Sequence, residues 1–261
     1  MHVLPTPHVE PDHAAEGTVP APAGPGRDVE THVPGASGAA GPLSGAPIGP
    51  AKPTESPRAD FGKFAASADA RRVADWVVST GDYRHVPFLI IDKRAARVFL
   101  FDADGRVRAS APALLGIGRG DIFAPGVAAK DMHETRPEER ITPAGRFVGE
   151  MGIDDKDKHV LWIDYDAGIA LHAVLDNPGE HRRQRLASPT VADNRISYGC
   201  VNVPTAFFEK IVRPAFERGR GRVYVLPEQQ PALGFFEALA RNSSVAASRS
   251  RRIASSTDPA H

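Results

Sequence analysis

Ser197-Tyr198-Gly199-Cys200-Val201-Asn202 is the stretch on which the interpretation of this chain depends, because it holds the only cysteine in 261 residues. The residue before the thiol is glycine, which lets a substrate carbonyl approach the backbone closely. Backbone N–H groups exposed at such a corner can receive an oxyanion. A lone cysteine is also common as a small buried apolar residue, so the surrounding sequence decides between inert packing and a nucleophile.

Downstream of this stretch, Pro204 to Arg218 predicts a helix, with proline at its first position and Gly219 at its end. Val223 to Leu226 predicts a final strand, and Pro231 to Arg241 predicts a short amphipathic helix. A polar, basic tail follows to the end of the chain.

Upstream of the cysteine, two β-rich runs, His159 to Tyr165 and Ile169 to Val174, predict two strands. His172 lies inside the second strand, which makes it the best-placed histidine. A charged stretch from Asn177 to Arg195 predicts a loop that leads to the cysteine. The sequence therefore places a histidine on a rigid strand and the thiol after a loop.

Further upstream, short β-rich runs separated by turns predict an antiparallel meander. Its strands are Phe88 to Ile91, Arg97 to Phe101, Val107 to Ala111 and Leu114 to Ile117. Residues 119–141 predict a long loop, and Thr142-Pro143-Ala144-Gly145-Arg146-Phe147 predicts a tight turn that opens another strand. A short helix from Ser67 to Ser79 precedes the meander.

Two segments superficially resemble ligand motifs, and neither meets the requirements. Gly116-Ile117-Gly118-Arg119-Gly120 lacks the third glycine at the phosphate-loop spacing, and no helix follows it. After His133-Glu134, the position of a second zinc-binding histidine is Pro137, which also breaks a helix. No metal site and no organic cofactor are predicted.

Composition divides the chain into four regions. Residues 1–60 contain 12 of the 24 prolines and no aromatic residue, which predicts a disordered Pro/Gly/Ala-rich tether. We expect a helical lead-in over 61–85, a β-rich folded domain over 86–228, and a short helix with a polar basic tail over 229–261. An unselected tail is the alternative for the first region.

Bulk properties exclude several classes of protein. The 32 basic and 32 acidic residues balance, so nothing indicates a nucleic-acid partner. The sequence contains no run of 18 apolar residues, so no transmembrane segment is predicted. The N-terminal MHVLPTPHVE has neither a basic n-region nor an apolar h-region, so no signal peptide is visible. A monomer is expected.

A cysteine nucleophile reacts as the thiolate, and a nearby histidine is the usual means of forming it. His172 is the first candidate because of its strand, with His159 and His181 behind it. A histidine satisfied within the core is the alternative for His172.

A strand histidine, a loop and Ser-x-Gly-Cys-apolar-Asn resemble the L,D-transpeptidase (YkuD) catalytic domain. The turn at 142–147 resembles the "TPxGxF" stretch of that family, and the likeness runs from about Pro87 to Glu228. The resemblance implies a mainly β fold, an L,D-transpeptidase-type β-sandwich with one helix after the nucleophile and, here, a disordered N-terminal extension. It also implies a periplasmic or cell-envelope enzyme acting on peptidoglycan stem peptides.

The resemblance also implies roles for individual residues. Cys200 would attack the carbonyl of a stem tetrapeptide and expel the terminal D-alanine, and an acceptor amine would resolve the thioester into a cross-link. His172 would be the general base, oriented by the carbonyl of Ala173. The expected oxyanion and loop-orienting residues are Gly199, the N–H of Cys200, Ser197 and Asn202.

Two departures from the family pattern leave alternatives open. Tyr198 stands where the family usually has histidine, and we expect its phenol to donate a hydrogen bond to the developing oxyanion, although it cannot act as an imidazole does. The separation of His172 and Cys200 is longer than usual, and the extra residues carry arginines. We expect Arg182, Arg183 and Arg195 to bind stem-peptide carboxylates, with solvated loop charges as the alternative. Hydrolysis of the same acyl-enzyme and a catalytically silent cell-wall-binding module also remain open.

Overall fold

The computed structural model describes residues 56–123, 127, 130, 134–175 and 177–256. Most of the predicted tether over 1–60 therefore lies outside the described residues, as do His133 and the last five residues of the tail. The end of that tether is bound to the fold: Ala59 N–H donates to Asp75 Oδ1 at 3.0 Å, and Asp60 N–H donates to the Gly105 carbonyl at 3.0 Å.

The described residues form ten strands and five α-helices. The strands are β1 (Phe88–Asp92), β2 (Arg97–Phe101), β3 (Val107–Pro112), β4 (Leu115–Gly116), β5 (Gly145–Ile153), β6 (His159–Asp164), β7 (Ile169–Ala173), β8 (Arg195–Ser197), β9 (Val201–Val203) and β10 (Gly221–Val225). The α-helices are α1 (Ala68–Thr80), α2 (Arg182–Ala187), α3 (Thr205–Phe207), α4 (Arg213–Phe216) and α5 (Ala232–Ser256).

Eight strands form one mixed sheet in the order β3-β2-β1-β10-β5-β6-β7-β9, and β4 pairs with β8 in a separate two-stranded sheet. The large sheet is curled. Its edge strand β3 ends at Pro112, and Leu114, two residues later, exchanges backbone hydrogen bonds with Asn202 of the opposite edge strand β9. Because two residues span only about 7 Å, the two edges lie close together. The predicted mainly β fold is confirmed.

The two faces of this sheet pack against different layers. Alternate residues of β1 separate, so Leu89 and Ile91 join the core enclosed by the curl, and Phe88 and Ile90 face the opposite way. The enclosed core also contains Leu171 of β7 and Val201 of β9, the strand that follows the thiol. The outer face of β1, β2 and β10 is covered by α1 and α5.

Several predicted elements differ from the structure around the cysteine. The thiol lies between two strands, β8 and β9, where a loop was predicted before it, because these short strands pair with β4 and β7 rather than following a local pattern. The predicted loop over 177–195 contains α2 and a 3₁₀ turn over Val191–Asn194.

The predicted C-terminal helices also differ in length and form. The helix after the cysteine is interrupted by a π-helical turn, Phe208–Val212, between α3 and α4. The last helix, α5, runs to Ser256 rather than ending at Arg241. Among the described residues, no helix combines the length and apolar character needed to cross a membrane.

Candidate active site

The cysteine corner, residues 197–200, joins two short strands whose partners fix its position. β8 pairs in parallel with β4, and β9 pairs in parallel with β7. Gly199 has φ of +132°, and a Cβ there would come within 2.8 Å of both the Ile141 carbonyl oxygen and Ile169 Cδ1. Glycine is required at this corner because the backbone of residue 141 lies directly against it.

Thr142, from the predicted tight turn, fixes the backbone of the cysteine corner through hydrogen bonds of its side chain. It is fully buried, and its Oγ1 accepts from Gly116 N–H at 2.9 Å and donates to the Gly199 carbonyl at 2.7 Å. In a trans peptide the carbonyl and the next N–H point in opposite directions. The hydrogen bond to Thr142 therefore directs the N–H of Cys200 away from Thr142.

Ser197 closes the corner with a second pair of hydrogen bonds. Its Oγ accepts from Gly199 N–H at 3.1 Å and donates to the Cys200 carbonyl at 2.6 Å. The N–H of Gly199 is thus used within the corner, so Gly199 could line the expected oxyanion site but would not donate its N–H there. Among the turn and loop hydrogen bonds of the described residues, none has the N–H of Tyr198 or of Cys200 as its donor.

Cys200 as a whole residue is partly exposed. Its Sγ donates to the Gly168 carbonyl at 3.6 Å. Burial raises the pKa of the thiol, while the N–H of Ala170 and the charge of Arg182 oppose that shift. The resting sulfur is therefore a protonated thiol at neutral pH.

His172 lies on β7, directly opposite Asn202 of β9 in the parallel register. Its Nδ1–H donates to the carbonyl of Ala173 at 2.8 Å, which leaves Nε2 without a proton in the neutral ring. Asn202 Nδ2 lies 3.4 Å from Nε2, so the amide faces the lone pair. Burial lowers the pKa of His172, the Ala173 hydrogen bond opposes the shift, and Arg182 lowers it further.

Asn202 connects the cysteine corner to His172. Its Nδ2 lies 3.4 Å from His172 Nε2 and 3.4 Å from the carbonyl oxygen of Cys200, the residue directly before β9. Among the described residues, no hydrogen bond joins the thiol and the imidazole directly. The arrangement is a neutral pair with the Asn202 amide against the basic nitrogen.

The structure brings only part of the predicted arginine set to this site. Arg182 is 6% exposed, and its Nη1 donates to Asn202 Oδ1 at 2.7 Å while its Nε donates to Glu180 at 2.6 Å. Because that guanidinium is buried and paired, contact with a substrate carboxylate is disfavoured. Arg182 instead orients the amide that faces His172.

Arg195 is also buried, and its guanidinium is paired with a carboxylate. Its Nη2 donates to Glu228 Oε2 at 2.6 Å and to the Lys93 carbonyl at 3.1 Å. This placement argues against the predicted carboxylate contact for Arg195 as well. Arg183, the third predicted arginine, is exposed on α2.

Sequence analysis missed Arg140, which lies beside the cysteine corner. Its guanidinium carbon is 3.9 Å from the centroid of the Tyr198 ring. The arginine falls in the segment predicted as a long loop, so its distance in sequence from Tyr198 gave no signal of the contact. The aromatic ring at 198 was the only available hint, because it offers a π face to a cation.

A pocket of about 300 Å³ lies beside His172 and is lined mainly by polar residues. They are Asp154, Asp157, Lys158, His159, Ala173, Leu175 and Glu209. The described residues contain no group of three or more His, Cys, Asp or Glu side chains that could hold a metal ion.

Comparison with known proteins gave no matching family model and no matching curated protein. Similar solved structures include an L,D-transpeptidase from Xylanimonas cellulosilytica, at 18% identity, with a TM-score of 0.34 and coverage of 54% of this chain and 60% of that one. Another is the catalytic domain of an E. faecium L,D-transpeptidase, at 15% identity and TM-score 0.31, covering 54% of this chain and 98% of that one.

A third similar structure is the helical cell shape determining protein Pgp2 from Campylobacter jejuni, at 16% identity and TM-score 0.34, covering 56% of this chain and 49% of that one. This chain thus spans less than two thirds of the Xylanimonas and Campylobacter structures.

Proposed function

We propose that this chain is a cysteine-dependent L,D-transpeptidase of the cell envelope that acts on peptidoglycan stem peptides. The observation that supports the proposal most is the pairing of β7 with β9, which sets His172 opposite Asn202, two residues after Cys200. Cys200 is partly exposed, and the His172 ring has an unprotonated Nε2. A buried structural cysteine needs none of these neighbours.

The first step begins with a substrate carbonyl at the cysteine corner. The Cys200 thiol gives its proton to His172 Nε2, and the sulfur electron pair attacks the carbonyl carbon of the donor stem peptide. For this transfer the Asn202 amide must move away from His172 Nε2 so that the thiol can donate to that nitrogen. The carbonyl oxygen gains the negative charge, which the N–H groups of Tyr198 and Cys200 stabilise.

Collapse of the tetrahedral intermediate breaks the peptide bond. The terminal D-alanine leaves as an amine after taking the proton from the His172 imidazolium, and a thioester remains on Cys200. An acceptor amine then attacks the thioester, and His172 takes its proton and passes it to the departing sulfur, which leaves as the thiol. The new amide is the cross-link, and no cofactor takes part in this balance.

The pocket beside His172 supports an amine as the acceptor. Asp154 and Asp157 contribute two carboxylates to its lining, against one ammonium from Lys158, while the third carboxylate, Glu209, is paired with Arg213 at 3.2 Å. A net negative pocket attracts a cationic side-chain amine toward the base that must deprotonate it. Water as the acceptor would give hydrolysis, and product analysis with and without an acceptor amine distinguishes the two outcomes.

Mass spectrometry of the protein incubated with a stem tetrapeptide tests the proposal. We expect an adduct on Cys200 whose mass equals the peptide minus D-alanine. Cys200→Ala should give none while its circular dichroism is unchanged. Absence of an adduct on the native chain across several stem peptides would refute the proposed activity, as would an adduct that persists in Cys200→Ala.

A catalytically silent wall-binding module is a second candidate, and one observation favours it. The thiol donates to Gly168 and makes no hydrogen bond with the imidazole, and burial raises its pKa. Under this candidate, peptidoglycan binds while Cys200 resists both stem peptides and iodoacetamide over the whole range from pH 6 to pH 9.

A further inference from the structure

Among the described residues, no carboxylate forms an ion pair with Arg140, which lies at the edge of the proposed site. Its Nε donates to the Thr135 carbonyl at 2.9 Å, and neither terminal nitrogen has an acceptor among the described residues. The neighbouring carboxylates are taken elsewhere: Glu139 pairs with Lys130 at 2.7 Å, and Glu138 lies 3.4 Å from Arg136. A guanidinium held at one nitrogen and open at two presents a bidentate donor pair.

The same side chain is held rigidly beside the cysteine corner. The guanidinium lies 3.9 Å over the Tyr198 ring, and the Arg140 carbonyl accepts from Gly118 N–H at 3.0 Å. The next two residues contact Gly199 directly, through the Ile141 carbonyl and Thr142 Oγ1. An arginine whose rotamer is already fixed by stacking loses little entropy on binding an anion.

We propose that Arg140, stacked on Tyr198, binds a carboxylate of the donor stem peptide and so determines which peptide Cys200 receives. That the ligand is a stem peptide rests on the proposed function. Two carboxylates of the peptide have the required chemistry: the C-terminal carboxylate of D-alanine and the α-carboxylate of the γ-linked D-glutamate. Tyr198, in place of the family histidine, provides the platform for this arginine.

Binding to the Cys200→Ala protein tests the proposal without needing the reaction. The probes are a stem tetrapeptide with both carboxylates free, its C-terminal amide, and a form amidated at D-glutamate. We expect Arg140→Gln to weaken binding of the free acid about tenfold, the usual size of one charge-assisted contact. One of the two amidated peptides should bind the protein that retains Arg140 as weakly as the free acid binds Arg140→Gln. The affinity of that amidated peptide should not fall further in Arg140→Gln.

Controls separate recognition from damage to the fold. Arg140→Lys keeps the charge without the fork and should recover part of the affinity, and Tyr198→Leu should weaken binding by removing the platform. Arg106→Gln removes one exposed charge from the turn before β3 and should leave binding unchanged. Because the amides test the contact on an unaltered Arg140, misfolding of a variant cannot produce the expected pattern.

The outcomes also separate this inference from the proposed function. If Cys200 is acylated equally fast by acid and amides, and in Arg140→Gln, the inference fails and the function stands. If no acylation occurs but binding depends on Arg140 and one carboxylate, the function fails and the inference stands. If neither acylation nor Arg140-dependent binding is seen, both are overturned.

Discussion

At the scale of single residues, Thr142 determines how the cysteine corner is presented. Its hydroxyl satisfies two buried backbone groups, one on each side. Thr142→Val keeps the shape but leaves Gly116 N–H and the Gly199 carbonyl without partners. We expect the free energy of unfolding in urea to fall by about 1–3 kcal/mol, with slower acylation of Cys200. Thr142→Ser, which keeps the hydroxyl, should lose much less of both; equal losses would contradict this role.

Arg182 acts at the same scale through charge. Its guanidinium lowers the pKa of His172 and opposes the rise in the pKa of Cys200. In Arg182→Gln both pKa values should rise, so the acid limb of the pH–rate profile for acylation moves to higher pH. The reaction of Cys200 with iodoacetamide should likewise need a higher pH. Arg182→Lys should shift both less, and Arg218→Gln, an exposed charge beyond α4, should shift neither.

At the scale of elements, α1 depends on its N-cap. Ser67 Oγ accepts from Ala70 N–H at 3.0 Å and donates to Asp92 of β1 at 2.6 Å, so one hydroxyl caps the helix and fastens it to the sheet. Ser67→Ala should lower the free energy of unfolding by about 1–2 kcal/mol, measured by chemical denaturation. Ser79→Ala, on the exposed end of α1, is the matched control and should cost less. The iodoacetamide rate of Cys200 should be the same in both.

At the scale of the whole molecule, a buried ionic network connects distant parts of the chain. Lys93, fully buried, donates to Asp121 Oδ1 at 2.9 Å and to the Thr142 carbonyl at 2.9 Å, and Glu228 lies 3.8 Å from its Nζ. Burial lowers the pKa of Lys93. Lys93→Met should cost about 3–5 kcal/mol in unfolding experiments because it leaves buried carboxylates uncompensated.

A double variant tests whether charge, rather than packing, causes that loss. Lys93→Met with Asp121→Asn removes both charges and keeps one of the two side-chain oxygens that accept from the N–H groups of Glu228 and Gln229. It should be more stable than Lys93→Met alone. If the double variant is the less stable of the two, the loss arises from packing.

The same network predicts acid sensitivity. Burial raises the pKa of Asp121, but hydrogen bonds from Glu228 N–H, Lys93 and Gln229 N–H outweigh it and lower the pKa overall. The stability that Asp121 contributes is therefore present above its unfolded pKa, near 4, and is lost as the pH falls through its lower folded pKa. Asp121→Asn should flatten the loss of stability below pH 4 in acid titration of the unfolding free energy.

The sequence alone predicted most of the strands and α1, because period-two alternation and caps are local signals. It also identified the Gly-Cys corner, and it placed a histidine on a strand. The sequence did not predict that a π-helical turn interrupts the helix after the cysteine, although Pro214 lacks a backbone N–H and disfavours a regular helical turn before it. The strands that flank the thiol were not predicted, because three residues carry too little periodicity.

Only the tertiary structure decided which arginines are available at the corner. Arg182 and Arg195 look the same as Arg183 in sequence, yet two of them are buried against carboxylates. Arg140 reaches Tyr198 across 58 residues because Ile141, the residue after Arg140, packs against Gly199, the residue after Tyr198. A local pattern specifies an element and its buried face, whereas the curl of the sheet sets which charges meet, and that curl depends on contacts far apart in the chain.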